Sequence, residues 1–112
     1  MIWIMKYMND EKVDYLIEMI KDMDLENKLR LAICMCDDNS HTNLIYDKEE
    51  LYNYFDNLLK QVNIEYKTTL INLANYPLIM SAMAKIMEMD SAQQNKVALY
   101  FFNSINYQIE KG

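Results

Sequence analysis

Glycine is almost absent from this chain, and its absence restricts the folds that the chain can adopt. The only glycine is the last residue, Gly112, and the only proline is Pro77. Phosphate-cradling loops, type II turns and close backbone approaches to a ligand need a positive φ or a missing Cβ, which glycine supplies. The sequence therefore predicts a protein of helices and short polar loops, without a phosphate-binding loop.

Apolar residues recur at helical spacing along nearly the whole chain, which predicts six helices. Asp24 is the expected N-cap of the second helix, while Asp47 with Glu50, and Ser91 with Gln94, have the spacing of capping boxes. The length of 112 residues suits a single domain. We therefore expect an all-α, compact single-domain bundle of five to six helices over residues 1–112. The predicted helices span 9–23, 24–36, 47–62, 64–75, 77–89 and 91–111.

The fifth predicted helix, over 77–89, is apolar on most of its circumference. Its polar residues, Ser81, Lys85 and Glu88, fall on one narrow strip. A helix with this pattern is normally the buried centre of a bundle. We therefore expect the other helices to pack around an apolar central fifth helix.

The charge of the chain limits its partners. The formal net charge is −6 and the isoelectric point is about 4.6, which disfavours nonspecific attraction to phosphate backbones and to anionic membranes. A helix-turn-helix over 64–89 would have only one lysine on its recognition helix. Reading DNA bases requires several exposed Arg, Lys, Asn or Gln side chains on that helix. No apolar run approaches the roughly 18 residues of a membrane span. We expect a protein partner, and a basic surface on that partner would complement the negative charge of this chain. We expect no direct contact with nucleic acid or membrane.

The two cysteines indicate a reducing compartment. Cys34 and Cys36 are fewer and closer together than the cysteines of a disulfide-stapled secreted domain. We therefore expect reduced thiols and a cytoplasmic location, in the producing cell or in its host.

The same cysteines, with Asp37, Asp38 and His41, carry the donor atoms of a zinc site. However, residues two apart on a helix point about 200° apart, and no second cysteine pair completes a tetrahedral set. Cys36 with His41 as its base is a conceivable nucleophilic pair, but no orienting group or oxyanion donor is recognisable. We expect no enzymatic activity, no metal and no cofactor.

Four carboxylates on the first helix form a first candidate partner-binding site. Asp10, Asp14, Glu18 and Asp22 are spaced four apart, so they make one ridge with about 6 Å between neighbours. Like charges at this spacing cost a few tenths of a kcal/mol per pair in an isolated helix. Such a ridge could enter a lysine- and arginine-lined channel as a nucleic-acid mimic. The alternative is a solvated face that keeps the protein soluble, with Lys21 partly neutralising Glu18.

Three methionines on the fifth predicted helix form a second candidate partner-binding site. Met80, Met83 and Met87 are three and four apart and share one side of the helix. Methionine is flexible and polarizable, which suits a groove for a partner helix and also an irregular core. Nine tyrosines are too many to bury completely, and tyrosine is enriched in interfaces, so contact with a partner or a homodimer is expected.

The composition indicates a source with AT-rich codons, because isoleucine, asparagine, lysine, tyrosine and methionine abound while glycine, alanine, proline and arginine are scarce. A low-GC bacterium, its phage or plasmid, or a large DNA virus has this bias. We therefore predict a non-enzymatic protein-interaction protein, a small regulator or antagonist encoded by a virus, phage or mobile element. The alternative is an acidic nucleic-acid mimic that inhibits a nucleic-acid-binding enzyme, as counter-defence proteins do.

Overall fold

The computed structural model describes residues 10–37, 40–62 and 75–111, and every regular element within those ranges is helical. The predicted all-α fold is confirmed, with five helices in these ranges. The predicted helix over 64–75 lies outside the described residues, apart from Asn75. In chain order, the helices are α1 (Glu11–Lys21), α2 (Leu25–Cys36), α3 (Lys48–Val62), α4 (Pro77–Met87) and α5 (Ser91–Lys111).

Local capping explains where α2 and α3 begin. The Oδ1 atom of Asp24 accepts a 2.9 Å hydrogen bond from the backbone N–H of Asn27. Similarly, Asp47 Oδ1 accepts a 3.2 Å bond from the backbone N–H of Glu50. Both contacts satisfy N–H groups that have no partner in the first turn of a helix. The predicted starts of these two helices are confirmed.

The capping box of α5 lies one residue earlier than predicted. Asp90 Oδ1 accepts a 2.8 Å bond from the Gln93 backbone N–H, and Gln93 Oε1 accepts a 3.0 Å bond from the Asp90 backbone N–H. The predicted pair, Ser91 with Gln94, does not form this box. Gln94 is buried instead, and its side chain donates to the backbone carbonyl of Ile86. The burial of Gln94 is the physical reason for the shift.

The central helix of the described structure is α2, which packs against α3, α4 and α5. Leu29, Leu31, Ala32 and Met35 on this helix are fully buried. Because α2 is covered on several sides, even its charged residues Lys28 and Arg30 are buried.

The predicted burial of the helix over 77–89 at the centre of the bundle is not confirmed. Helix α4 packs against α1 and α2, and three of its large apolar side chains are nearly half exposed: Leu78, Met80 and Met87. Apolar composition makes burial favourable, but the number of neighbouring helices decides how much of the circumference is covered.

Hydrogen bonds join the loop between α2 and α3 to the start of α5. The backbone N–H of Asn43 donates to Gln94 Oε1 over 2.9 Å, and the backbone N–H of Ile45 donates to Asn95 Oδ1 over 2.8 Å. Asn95 Nδ2 in turn donates to the carbonyl of Asn43 over 2.9 Å. Next to this junction, the Tyr46 ring meets the Phe102 ring edge-on at a centroid distance of 5.7 Å.

Candidate interaction surface

Helix α4 has one buried side and one exposed side. Pro77 occupies its first turn, where the fixed φ of proline suits a helix and its missing N–H costs nothing. The buried side consists of Ile79, Ala82, Met83 and Ile86. The opposite side, which we term the α4 outer face, consists of five exposed residues: Met80, Ser81, Ala84, Met87 and Glu88.

The structure divides the three predicted methionines between these two sides. Met80 and Met87 are 49% and 44% exposed, whereas Met83 is 7% exposed. Met83 lies about 60° around the helix from Met80, on the flank nearer to α2 and α1. Met80 and Met87 therefore belong to the α4 outer face, and Met83 belongs to the core. Leu78 is also 47% exposed, but it lies about 160° around the helix from Met80 and is not part of this face.

A shallow groove of about 340 Å³ runs between α4 and α1. The Nζ atom of Lys85 lies 4.8 Å from the ring centroid of Tyr15, which is a cation–π contact across the groove. Tyr15 is 59% exposed, and Glu11 and Glu88 also line the groove. The accessible surface therefore continues from α4 onto α1 with mixed charge.

The first carboxylate of the predicted acidic ridge is engaged within the fold. Asp10 is the N-cap of α1, and its Oδ1 accepts bonds from the backbone N–H groups of Lys12 at 3.1 Å and Val13 at 3.3 Å. Its Oδ2 accepts a 3.1 Å bond from Gln93 Nε2. The Gln93 hydrogen bond is the largest influence on the pKa of Asp10. Burial opposes it, but this bond and the backbone hydrogen bonds from Val13 and Lys12 together lower the pKa. Asp10 therefore joins α1 to the start of α5.

The other three ridge carboxylates lie along α1 and at its end. Asp14 is half-buried, Glu18 is exposed, and Asp22 is the exposed C-cap residue. The Nζ atom of Lys21 lies 4.0 Å from Glu18 Oε1, with both side chains well exposed. An exposed pair of this kind contributes little to stability, so these carboxylates are accessible to a partner.

The thiols of α2 are free and protonated. Burial raises the pKa of Cys34 and of Cys36 to about 12, and the nearby Asp37 adds to the effect at Cys34. A thiol with such a pKa has little of the thiolate character that nucleophilic attack and metal ligation need. His41 is exposed and adopts a φ of 59°. Among the described residues, which exclude Asp38, no three His, Cys, Asp or Glu side chains are grouped to hold a metal.

A cleft of about 270 Å³ opens where the start of α2 meets the ends of α3 and α5. No pattern in the sequence predicted this cleft. The available signal was Gln108, a polar residue placed three after Ile105 and seven after Phe101, on the apolar side of its helix. We term this site the α2–α3–α5 cleft; it is lined by Leu25, Leu29, Leu58, Gln61, Val62, Gln108 and Ile109.

These observations define a small all-α bundle in which α4 exposes apolar side chains, as does α5 with Leu99, Tyr100 and Tyr107. In the ranges that the structure describes, no helix is both long and apolar enough to cross a membrane. Comparison with protein-family models, with curated proteins and with solved structures finds no significant match to this chain. The function is therefore argued from the chain's own side chains.

Proposed function

We propose that this chain is a non-enzymatic protein-interaction protein that binds an amphipathic helix of another protein on the α4 outer face. The observation that carries the proposal is the exposure of Met80 and Met87, with Ala84 between them, on a helix whose opposite side is packed in the core. Single exposed apolar residues are ordinary on a surface, whereas apolar residues grouped on one helix face are typical of interaction sites.

The spacing on this face supports a helix as the partner. Met80, Ala84 and Met87 are four and three residues apart, so they form one stripe along α4. The small Ala84 leaves a notch between two long side chains, into which one apolar side chain of a facing helix fits. Methionine adjusts its rotamers to the shape of what it contacts, which suits grooves that hold helices.

The charge near the end of α4 supports a basic flank on that partner. Glu88 is exposed directly after the last turn, and Asp90 follows it at an exposed position. The carboxyl-terminal end of a helix also carries a partial negative charge. Lysine or arginine on the partner helix would therefore be attracted to this end, which favours one orientation of binding and raises the association rate. The net charge of −6 acts in the same direction.

The biological role that we propose is that of a small regulator or antagonist encoded by a virus, phage or mobile element. The AT-rich composition supports such a source. A small bundle with an adaptable apolar face suits an antagonist, because it can inhibit its target by covering one of the target's helices. This mode of inhibition needs no catalytic residues.

A paired substitution tests the α4 outer face. Met80→Gln with Met87→Gln keeps the unbranched shape and adds no charge, and both positions are nearly half exposed, so the fold is retained. The matched control is Leu99→Gln with Tyr100→Gln on α5, at positions 56% and 40% exposed. The tagged chain first captures its partner from the source or host cell, and the dissociation constant is then measured with the purified partner.

We expect the α4 pair to weaken binding at least tenfold and the α5 pair to leave it within about twofold, because few residues carry most of the binding energy of an interface. Equal loss in both pairs, or full binding by the α4 pair, would contradict the proposal. A second set, Asp14→Lys, Glu18→Lys and Asp22→Lys, leaves the Asp10 cap intact and tests the acidic mimic. If this set abolishes binding while the α4 pair does not, the mimic is the correct function.

A further inference from the structure

Helix α5 leaves one continuous stripe of its surface uncovered. Between residues 96 and 110, every exposed residue of α5 lies within about 60° of Asn103 around the helix axis. Leu99, Tyr100 and Tyr107 are 56%, 40% and 63% exposed, while the opposite side of the helix is packed in the core. We term this stripe the α5 outer face; it includes Lys96, Leu99, Tyr100, Asn103, Tyr107 and Glu110.

The order of residues along the α5 outer face is self-complementary. When two identical helices run antiparallel about a twofold axis at Asn103, each residue lies opposite the one equally far beyond Asn103 on the second copy. Lys96 then lies opposite Glu110 of the second copy, and Leu99 lies opposite Tyr107. Opposite charges therefore meet at both ends of the face, and apolar side chains meet between them.

The polar residues near the middle of the face also match in this arrangement. Asn103 lies opposite its own copy, and a side-chain amide both donates and accepts, so two of them can bond to each other. Tyr100 lies opposite Asn106, which is exposed as well, so a hydroxyl meets an amide. Each contact except the central one occurs twice, as in any twofold interface.

The charges favour a second copy of this chain as the occupant. The chain carries a net charge of −6, but the α5 outer face has one lysine and one glutamate and is therefore neutral. An antiparallel pair brings each lysine to a glutamate, whereas a parallel pair would place Lys96 against Lys96 and Glu110 against Glu110. Opposed helix dipoles favour the same orientation. Lys96 also acts within its own chain, where its charge helps to lower the pKa of Asp10.

We propose that this protein forms a reversible homodimer in which the α5 outer faces of two copies pack antiparallel about Asn103. The stretch from 96 to 110 is about 21 Å long at 1.5 Å per residue. One helix pair of this length makes a small interface, so the association is weak and depends on concentration. Exposed tyrosines are typical of such surfaces. The proposal goes beyond the α4 outer face, which shares no residue with α5.

Sedimentation velocity of the purified full chain over a wide range of concentration tests the dimer. We expect a monomer–dimer equilibrium with a dissociation constant in the micromolar range. Leu99→Gln with Tyr107→Gln should weaken it about tenfold or more, because few residues carry most of the binding energy. The matched control, Met80→Gln with Met87→Gln on α4, should leave it within about twofold. A wild-type chain that stays monomeric, or a dimer weakened only by the α4 pair, would overturn the proposal.

Charge reversal tests the antiparallel orientation. Glu110→Lys places two lysines together and Lys96→Glu places two glutamates together, so each variant alone should dimerise several-fold more weakly than the wild type. An equal mixture of the two variants should recover the affinity as a heterodimer, because every charge again meets its opposite. Circular dichroism checks that both variants remain helical.

A parallel dimer would respond differently, since it already places like charges together and neither single variant would weaken it. Unchanged dimerisation of both variants, or no recovery in the mixture, would therefore contradict the antiparallel pairing. None of these measurements uses a partner protein, so their failure is distinguishable from failure of the α4 outer face as a binding site.

Discussion

The side-chain amide nitrogen of Gln94 donates a 2.9 Å hydrogen bond to the backbone carbonyl of Ile86. The same nitrogen lies 3.4 Å from the carbonyl of Met89, and Gln94 Oε1 accepts a 2.9 Å bond from the Asn43 backbone N–H. The carbonyls of the last turn of a helix have no partner within that helix. Gln94 therefore joins the end of α4, the start of α5 and the preceding loop, and it fixes how α4 presents its outer face.

We expect Gln94→Leu to lower the free energy of unfolding by about 1–3 kcal/mol, because it removes the side-chain hydrogen bonds to the Asn43 N–H and to the Ile86 and Met89 carbonyls. Urea denaturation followed by circular dichroism measures the change. Gln108→Leu on the same helix is the matched control. Since it removes a buried acceptor that has no donor in the described structure, stability should stay unchanged or rise by up to about 1 kcal/mol. Equal losses in the two variants would show that Gln94 has no special part in joining the helices.

Lys28 provides a second test, because its ammonium group lies within the bundle. The side chain is 6% exposed, and Nζ donates a 3.0 Å bond to Ser104 Oγ. Burying an ammonium group against a neutral hydroxyl recovers little of the lost hydration. Lys28→Met keeps the length of the side chain and should raise the free energy of unfolding by about 1–2 kcal/mol.

Ser104→Ala should lower stability by about 1 kcal/mol in the wild-type background, because it removes the acceptor of a buried charge. In the Lys28→Met background the same substitution should have almost no effect, so a double-mutant cycle isolates the pair. A loss of stability in Lys28→Met itself would show that the ammonium group stabilises the fold.

Asp10 should make stability depend on acid pH. The hydrogen bond from Gln93, and then those from the backbone of Val13 and Lys12, lower its pKa in the folded state below the ordinary value of 3.8. A carboxylate with a lowered folded pKa stabilises the protein above its unfolded pKa, and this contribution is lost as pH falls through the folded pKa. Unfolding midpoints measured from pH 5 downward should therefore fall less steeply in Asp10→Asn, which retains the capping ability of the side chain.

Gln93→Leu is the companion variant, since the side-chain bond from Gln93 is the largest cause of the shift. It should also reduce the steepness of the acid loss. Identical acid profiles in the wild type and in both variants would show that Asp10 is not held in its charged form by these contacts.

The thiols should make stability depend on alkaline pH in the opposite sense. Burial raises the pKa of Cys34 and Cys36 from 9.0 to about 12 in the folded state. The folded protein therefore retains protons that the unfolded chain releases, so their stabilisation is complete below pH 9 and is lost between pH 9 and 12. Urea midpoints at increasing pH should fall less steeply in Cys34→Ala with Cys36→Ala than in the wild type.

Burial also raises the pKa of Tyr52, with the nearby Asp56 adding to the effect, so this phenol contributes to the same alkaline loss. Tyr52→Phe separates its share from that of the thiols.

In the native protein at pH 8, both thiols should react with a disulfide reagent only as fast as the chain opens. Immediate reaction of Cys36 would contradict its burial.

The elements that depend on neighbouring residues in the chain were predictable from the sequence. Asp24 and Asp47 cap α2 and α3 as expected, because an N-cap needs only one side chain and the backbone two or three residues further on. The scarcity of glycine and the helical spacing of apolar residues were sufficient to predict an all-α fold. Met80 and Met87 were predicted as partner-binding residues; the structure leaves both nearly half exposed, and their role stays a prediction.

Tertiary packing decided the features that join distant parts of the chain. Met83 is buried while Met80 is exposed, because α1 and α2 cover only one side of α4. Gln93 rather than Gln94 completes the capping box of α5 with Asp90, since the Gln94 side chain is hydrogen-bonded to Ile86 and Asn43. The α2–α3–α5 cleft exists only where three separate helices meet. Composition and periodicity determined which segments are helical and which surfaces are apolar, whereas the arrangement of neighbouring helices determined which of those surfaces remain accessible to a partner.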